Sequence, residues 1–310
     1  MFFNGTDKRY NQFSQYIKNK VGEKLYKLTL NTGMGCPNRD GTIGHGGCIF
    51  CDESGSFSRS YGAIALQNQM IEGIEWLQRR FKAKKFLSYL QSYTNTYADI
   101  STLKTVYDTV LDHPLVEGIS IGTRPDCIDE EKINLIASYT DNNIVWIEYG
   151  LQTIHDETLK FINRGHDAKC FFDAVKITQN KDIKICAHVI LGLPNETKAQ
   201  MLKTVRALAD IGIDGVKFHA LCVLADSKIK RAYYNNEFTL LSEDEYVDIV
   251  CSCMELLPKS TTIHRLGGNG LKSNLIAPKW LNCKFETLNK IDECFKERET
   301  YQGYNHNKTM

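Results

Sequence analysis

From residue 24 to about residue 220 the chain alternates short β-branched or aromatic runs with amphipathic stretches, and that rhythm leaves few folds open. Lys24 to Asn31, Phe86 to Tyr93, Gly118 to Gly122, Ile144 to Gln152, Ile183 to Leu191 and Gly215 to Leu221 read as strands. Between them, Ile64 to Lys82, Ile100 to Leu111, Asp129 to Tyr139, Ala168 to Gln179 and Lys198 to Leu208 read as helices, with polar or acidic starts and Gly or Asn near several ends. Strand then helix, repeated with right-handed crossovers, builds a parallel sheet covered by helices. Six such units predict an α/β fold, a partial (β/α)6 TIM-like barrel rather than the closed eight-unit form.

After Leu221 the rhythm turns helical, with helices at Asp244 to Leu257 and Phe285 to Lys296, a short strand-like Thr261 to Leu266, and a Gly267-Gly268-Asn269-Gly270 turn. The expected organisation is a basic amino-terminal segment over 1–23, the barrel over 24–222, a helical extension closing it over 223–299, and a polar tail over 300–310 that frays. No internal repeat or low-complexity run interrupts this plan.

The barrel's first strand leads directly into Cys36-Pro-Asn-Arg-Asp-Gly-Thr-Ile-Gly-His-Gly-Gly-Cys48-Ile-Phe-Cys51. Reactive sites of parallel α/β barrels lie at the carboxyl ends of the strands, which is where this loop falls. Three thiolates can hold three corners of a four-iron, four-sulfur cluster and leave the fourth iron open. The glycines at 33, 35, 41, 44, 46 and 47 let such a loop fold tightly. Zinc on Cys36, Cys48, Cys51 and His45 satisfies the same spacing. The other eight cysteines show no pairwise metal spacing. With 11 cysteines, an odd number, and no charged-then-apolar leader, reduced thiols in the cytoplasm are expected rather than disulfides. No apolar run reaches the length of a membrane span.

A net charge of +1 argues against indiscriminate nucleic-acid binding. Residues 1–30 nonetheless carry Lys8, Arg9, Lys18, Lys20, Lys24 and Lys27 against Asp7 and Glu23, a local balance of +4. Phe2, Phe3, Tyr10, Phe13 and Tyr16 interleave with these cations, as stacking platforms for unpaired RNA bases do. A solvated amphipathic helix accounts for the same pattern.

The three cysteines, with the motifs that follow, resemble the radical S-adenosylmethionine (SAM) enzymes, and within them the YhcC/YtqA-type family. The resemblance spans residues 5–298. It implies a [4Fe-4S] cluster on Cys36, Cys48 and Cys51 whose open iron chelates SAM. The C-x11-C-x2-C spacing departs from the common C-x3-C-x2-C and is similar to that of the Elongator catalytic subunit family, as is the aromatic Phe50. Glu148-Tyr-Gly-Leu-Gln152-Thr, then Asn163-Arg164-Gly-His, is similar to a stretch of oxygen-independent coproporphyrinogen oxidase, with the same twelve-residue step from Gln to Arg. That implies SAM contacts by Gln152 and Arg164, with Glu148 alongside. His188 to Thr197 ends the fifth strand with a Gly192-Leu193-Pro194 turn where adenine can lie against backbone. His188 stands where the porphyrinogen enzyme has an acidic SAM contact. Thr123 and Arg124 sit in a Thr-Arg-Pro-Asp turn similar to the Elongator family's. Gln91 and Asn95 end the second strand, where many radical SAM enzymes place Gly-Gly-Glu. His264-Arg265-Leu266-Gly267 resembles a family signature at the barrel mouth, and Tyr89, Lys217 and His219 are expected to face the same cavity.

The resemblance implies one-electron cleavage of SAM to methionine and a 5′-deoxyadenosyl radical, which takes hydrogen from an unactivated carbon, with flavodoxin or ferredoxin as electron donor. Three functions are open. The first is modification of the C5 side chain of the tRNA wobble uridine, carboxymethylaminomethyl to aminomethyl. The second is radical oxidoreduction of a small metabolite, and the third a zinc-bearing RNA-binding module without catalysis.

Overall fold

A computed structural model describes residues 2–52, 65–267 and 274–307. The six expected strands form as β1 (Leu25–Leu30), β2 (Lys85–Leu90), β3 (Val116–Thr123), β4 (Ile144–Gln152), β5 (Lys184–Leu191) and β6 (Gly215–Ala220). They pair in chain order, each parallel to the next. The crossovers carry α2 (Leu66–Phe81), α3 (Ile100–Leu111), α4 (Glu130–Ala137), α5 (Asp156–Phe161), α6 (Ala168–Thr178) and α7 (Lys198–Ile211) on the outside. Asp99, Asp129 and Asp167 cap α3, α4 and α6, and Thr197 with Gln200 forms a capping box on α7, so the polar starts read from the sequence are working caps. The expected helix start at residue 64 lies outside the described residues.

The sheet has seven strands, not six. After β7 (Val223–Leu224) and the helices α8 (Ile229–Tyr234) and α9 (Glu243–Leu256), the strand β8 (Thr262–Leu266) returns beside β6 in parallel, and β9 (Leu275–Ala277) then pairs antiparallel with β7. The return of β8 makes the curled half-barrel one strand wider than the alternation predicts. α10 (Lys284–Glu297) then packs against α9. The turn expected over 267–270 lies largely outside the described residues.

The amino-terminal segment is mostly structural. α1 (Phe13–Val21) drives Phe13 and Ile17 against Leu87, Trp146 and Cys186, closing the barrel at the amino ends of its strands. Phe13 stacks on His264 with ring centroids 3.9 Å apart and meets Trp146 edge-on at 5.4 Å. Tyr10 is buried against Phe295. Phe2 remains exposed, under the Arg9 guanidinium. Two of the five expected stacking platforms are therefore core residues, since their apolar area is worth more buried than offered to a base.

The tail does not fray through its described part. Gln302 is fully buried, its amide donating to the carbonyls of Pro258 and Thr261, both at 2.7 Å, while its carbonyl accepts from Asn11 N at 2.8 Å. The polar side chains that suggested disorder are instead the tail's fasteners.

Candidate functional site

The loop after β1 is stitched down by named bonds. Gln69 on α2 brackets Asn31, accepting from its N–H and donating to its carbonyl, both at 2.9 Å. Ile49 N donates to Ile162 O, and Asn163 Nδ2 to Gly47 O at 2.8 Å. Asn38 answers from the loop, donating to Asn163 O at 2.6 Å and lying 3.7 Å from Cys48 Sγ. The segment that carries Arg164 is thus the wall against which the cysteine loop is built.

Cys36, Cys48 and Cys51 all line one cavity of about 230 Å³ at the carboxyl ends of the strands. Guanidinium groups surround them. Arg164 Nη1 lies 3.5 Å from Cys48 Sγ while Nη2 donates to Gly150 O at 2.7 Å. Arg39 hydrogen-bonds Cys51. Arg124, pinned in two bonds to Asp126 at 2.6 and 2.8 Å, keeps a buried Nη1 without a partner, as Arg164 keeps its Nε. Cations and unsatisfied donors around three thiols suit an anionic sulfide-bridged cluster. Gly150 makes this possible, because a Cβ there would stand 2.6 Å from Arg164 Nη2.

His45 does not join them. It is exposed, on the turn that bridges to Asp40, and does not line the cavity. The three sulfurs are also not gathered within 4.8 Å of one another. Tetrahedral thiolates at about 2.3 Å from one zinc ion would sit about 3.8 Å apart.

The cavity also takes in Gln91, Thr123, Gln152 and His188. Gln152 is held at φ 75°, left-handed for a non-glycine residue, where β4 and β5 slip register. Such a conformation costs about 1–3 kcal/mol and persists where surrounding structure fixes it. Thr123 shares a hydrogen bond of 2.6 Å with Thr96.

Two expected contacts do not reach the cavity. Asn95 is fully buried, accepting from Thr32 Oγ1 at 2.7 Å and donating to Gly122 O at 2.8 Å and Ser92 O at 3.1 Å, so its amide is spent tying β1, β2 and β3 together. Leu193 is buried in an apolar cluster with Ile190 and Leu221, which line the cavity while Leu193 does not.

Below the thiols the barrel interior is a polar layer from successive strands. Glu148, fully buried, accepts from Ser120 Oγ at 2.7 Å, His188 Nε2 at 2.8 Å and Lys27 Nζ at 3.3 Å, and pairs directly with Lys217. Lys217 also donates to Tyr89 Oη at 2.8 Å. Burial would raise the Glu148 carboxyl, but Lys217 and Lys27 hold it well below the usual range. Burial pushes the Lys217 ammonium down to about 7, against the pull of Glu148. It pushes His188 down to about 4, with Lys217 adding to the effect. Glu148, Cys186 and His188 also lie within single-ion range, but that carboxylate is committed to two lysines, and burial and Glu148 raise the Cys186 thiol well above its usual value. Sequence reasoning placed Lys27 among the surface cations; the signal that finds it is period-two alternation, since Lys27, Tyr89, Glu148, His188 and Lys217 all occupy inward strand positions.

Comparison with known proteins shows the family. The Radical SAM superfamily model matches residues 30–208, and the Radical_SAM C-terminal domain model matches residues 213–297. The chain is 35% identical over 302 residues to YtqA of Bacillus subtilis, covering 97% of this chain and 94% of that one. It is 26% identical over 151 residues to a tRNA uridine(34) acetyltransferase of Methanocaldococcus jannaschii, covering 48% of this chain and 27% of the relative. The Elp3 structure of Methanocaldococcus infernus shares the fold at a TM-score of 0.65 and 15% identity, over 90% of this chain and 64% of that one. With half its length under one family model and a near full-length relative, the chain belongs to the radical SAM superfamily, whose enzymes use a [4Fe-4S] cluster and SAM.

Proposed function

We propose that this radical SAM enzyme modifies tRNA, converting carboxymethylaminomethyl to aminomethyl at C5 of the wobble uridine. A hydrogen atom is taken from the carboxymethyl CH2, and loss of one further electron and a proton leaves an imine. Its hydrolysis by water breaks the N–C bond and releases the two carbons as glyoxylate, SAM being the two-electron oxidant overall. The observation that carries the reading is the run of similarity to a protein named for tRNA uridine(34), joined to a barrel cavity floored by cations. Cys36, Cys48 and Cys51 ligate the cluster, and Gln91, Thr123, Arg124, Gln152 and Arg164 face SAM. Residues 24–222 form the catalytic barrel and 223–299 complete it. When bound, the cluster and SAM supply a 5′-deoxyadenosyl radical, given one electron from a flavodoxin- or ferredoxin-type donor in the cytoplasm. The chain's own part is positional. Arg39, Arg124 and Arg164 offset the thiolate charge, and the α1 plug shuts water out from below.

A radical oxidoreductase on a small metabolite is the second reading, favoured by the burial of Tyr10 and Phe13, which removes two aromatic platforms from RNA. A non-catalytic zinc module falls with membership of an enzyme superfamily and with the exposed His45. Among the described residues no helix is long and apolar enough to cross a membrane.

Mass spectrometry of tRNA nucleosides from a strain lacking the protein tests the first reading. Carboxymethylaminomethyluridine should accumulate and aminomethyluridine fall; unchanged wobble uridines would transfer the reading to a metabolite. In anaerobically reconstituted protein, Cys48→Ala should abolish 5′-deoxyadenosine formation, and its persistence would remove Cys48 from the ligand set.

A further inference from the structure

The cavity has two ends of different character. At the top, each cation has a partner: Arg39 has Cys51 and the Asp52 carbonyl, Arg124 has Asp126, and Arg164 has Cys48 and the Gly150 carbonyl. At the floor the balance fails. Glu148 is the one carboxylate among the described residues there, and Lys27 and Lys217 already occupy it. Arg265, on β8 beside Lys217 of β6, lines the same cavity and makes no hydrogen bond or ion pair with a described residue. His219, next along the inward face of β6, also lines it, with the His188 ring 5.6 Å away between centroids and Arg265 near enough to act on it. Even with Lys217 neutral, Lys27 and Arg265 outnumber Glu148. The α1 plug with Trp146 and Phe13 closes the side below, so among the described residues this excess positive charge faces the cavity. A guanidinium held without a counter-ion over a closed, low-dielectric floor is costly unless an anion arrives with the ligand.

We propose that Arg265, assisted by the N–H of His219, is the subsite for a carboxylate carried by the substrate. The inference rests on the tRNA reading above, in which the group to be removed from the wobble uridine ends in a carboxylate. Arg265 presents the planar fork that matches a carboxylate in two parallel bonds. Its place opposite the thiol end directs the anionic end of the substrate to the floor and its uridine toward the barrel mouth. Burial and the neighbouring Arg265 hold His219 well below its usual range, leaving a neutral imidazole that donates without adding charge.

The test uses cluster-loaded full-length protein with SAM and tRNA bearing either carboxymethylaminomethyluridine or its neutral carboxamide at the wobble position. The wild type should show a KM higher for the amide by on the order of 10- to 100-fold, the range for one charge-assisted bond. Arg265→Gln should raise the KM of the carboxylate by the same factor and lose the discrimination, with Arg265→Lys between the two. Equal losses on both substrates, or discrimination that survives in Arg265→Gln, would overturn the subsite. If neither tRNA is turned over, the wobble reading fails on its own, and the subsite is then judged by small anions. Acetate and glycine should raise the thermal midpoint of the wild type and not of Arg265→Gln. No shift by either, or a larger shift by inorganic phosphate, would refute a carboxylate site.

Discussion

Glu148→Gln isolates the energetics of the barrel floor, because it keeps the shape of a fully buried side chain and removes only its charge. The carboxylate serves Ser120 and His188 as well as Lys27 and Lys217, and the Lys217 side chain is 3% exposed, so the ammonium cannot turn to water for a new partner. Removing one member of a buried ion pair costs about 3–5 kcal/mol. The cost depends on pH in a direction that follows from Lys217. Its folded pKa, about 7 with Glu148 present, lies below the unfolded value of about 10.4, so the unfolded chain binds more protons between those limits and stability rises with pH there. Without Glu148 the folded pKa drops further, and the rising limb extends below neutrality. The gap between wild type and variant therefore widens by about 1.4 kcal/mol for each pH unit below about 7, until the new pKa is reached. Anaerobic urea unfolding followed by far-UV circular dichroism, at about pH 8 and about pH 6, reads this directly. The double variant Glu148→Gln, Lys217→Met should recover at least half the loss. A cost below about 1 kcal/mol at both pH values, or no recovery in the double variant, would refute an ion pair that holds the floor together.

Three further outcomes follow from named contacts. Phe13→Ala opens the plug under the barrel, where the ring stacks on His264 at 3.9 Å, and should cost about 3–5 kcal/mol in urea unfolding. Gln302→Ala leaves the Pro258 and Thr261 carbonyls and the Asn11 N–H without their partner, and should cost at least about 2 kcal/mol; a tail that merely frayed would show no change. Gly150→Ala sets a Cβ 2.6 Å from Arg164 Nη2 and should lower 5′-deoxyadenosine formation by roughly 100-fold, measured by chromatography, with far-UV circular dichroism unchanged.

What the sequence disclosed was what short-range chemistry dictates. The six strands of the alternation are recoverable because their outward faces pack under helices and so carry apolar residues at alternate positions. The helix starts are visible because Asp99, Asp129, Asp167 and Thr197 bond within three residues of themselves. The three thiols stand out as a local spacing, whereas Gln152 and Arg164, which line the same cavity, were singled out only by a family resemblance. Asn95 lies off the cavity with its amide bonded to Thr32 and Gly122, an arrangement no local pattern reveals because a cavity contact and a buried fastener carry the same amide. The strand-like run over 261–266 was visible but its place in the sheet was not, because β8 is short and returns after two helices, so its pairing with β6 leaves no periodicity.

The floor shows why such losses are systematic and how they can be reduced. Glu148 lies 121 residues from Lys27 and 69 from Lys217, so no window that detects local ion pairs would join them. In a parallel barrel, however, the inward face of every strand has period two, and its layers stack across strands. A charged residue at an inward position must meet another charge, because an isolated ion in that interior is prohibitively costly. Taking the inward positions together sets Lys27, Glu148, Lys217 and Arg265 side by side from the sequence alone. Their sum is positive, and a closed interior that folds with an unbalanced charge either loses its proton or keeps a place for an anion. Lys217, lowered to about 7, takes the first course. A guanidinium does not lose its proton in the working pH range, so Arg265 is left with the second.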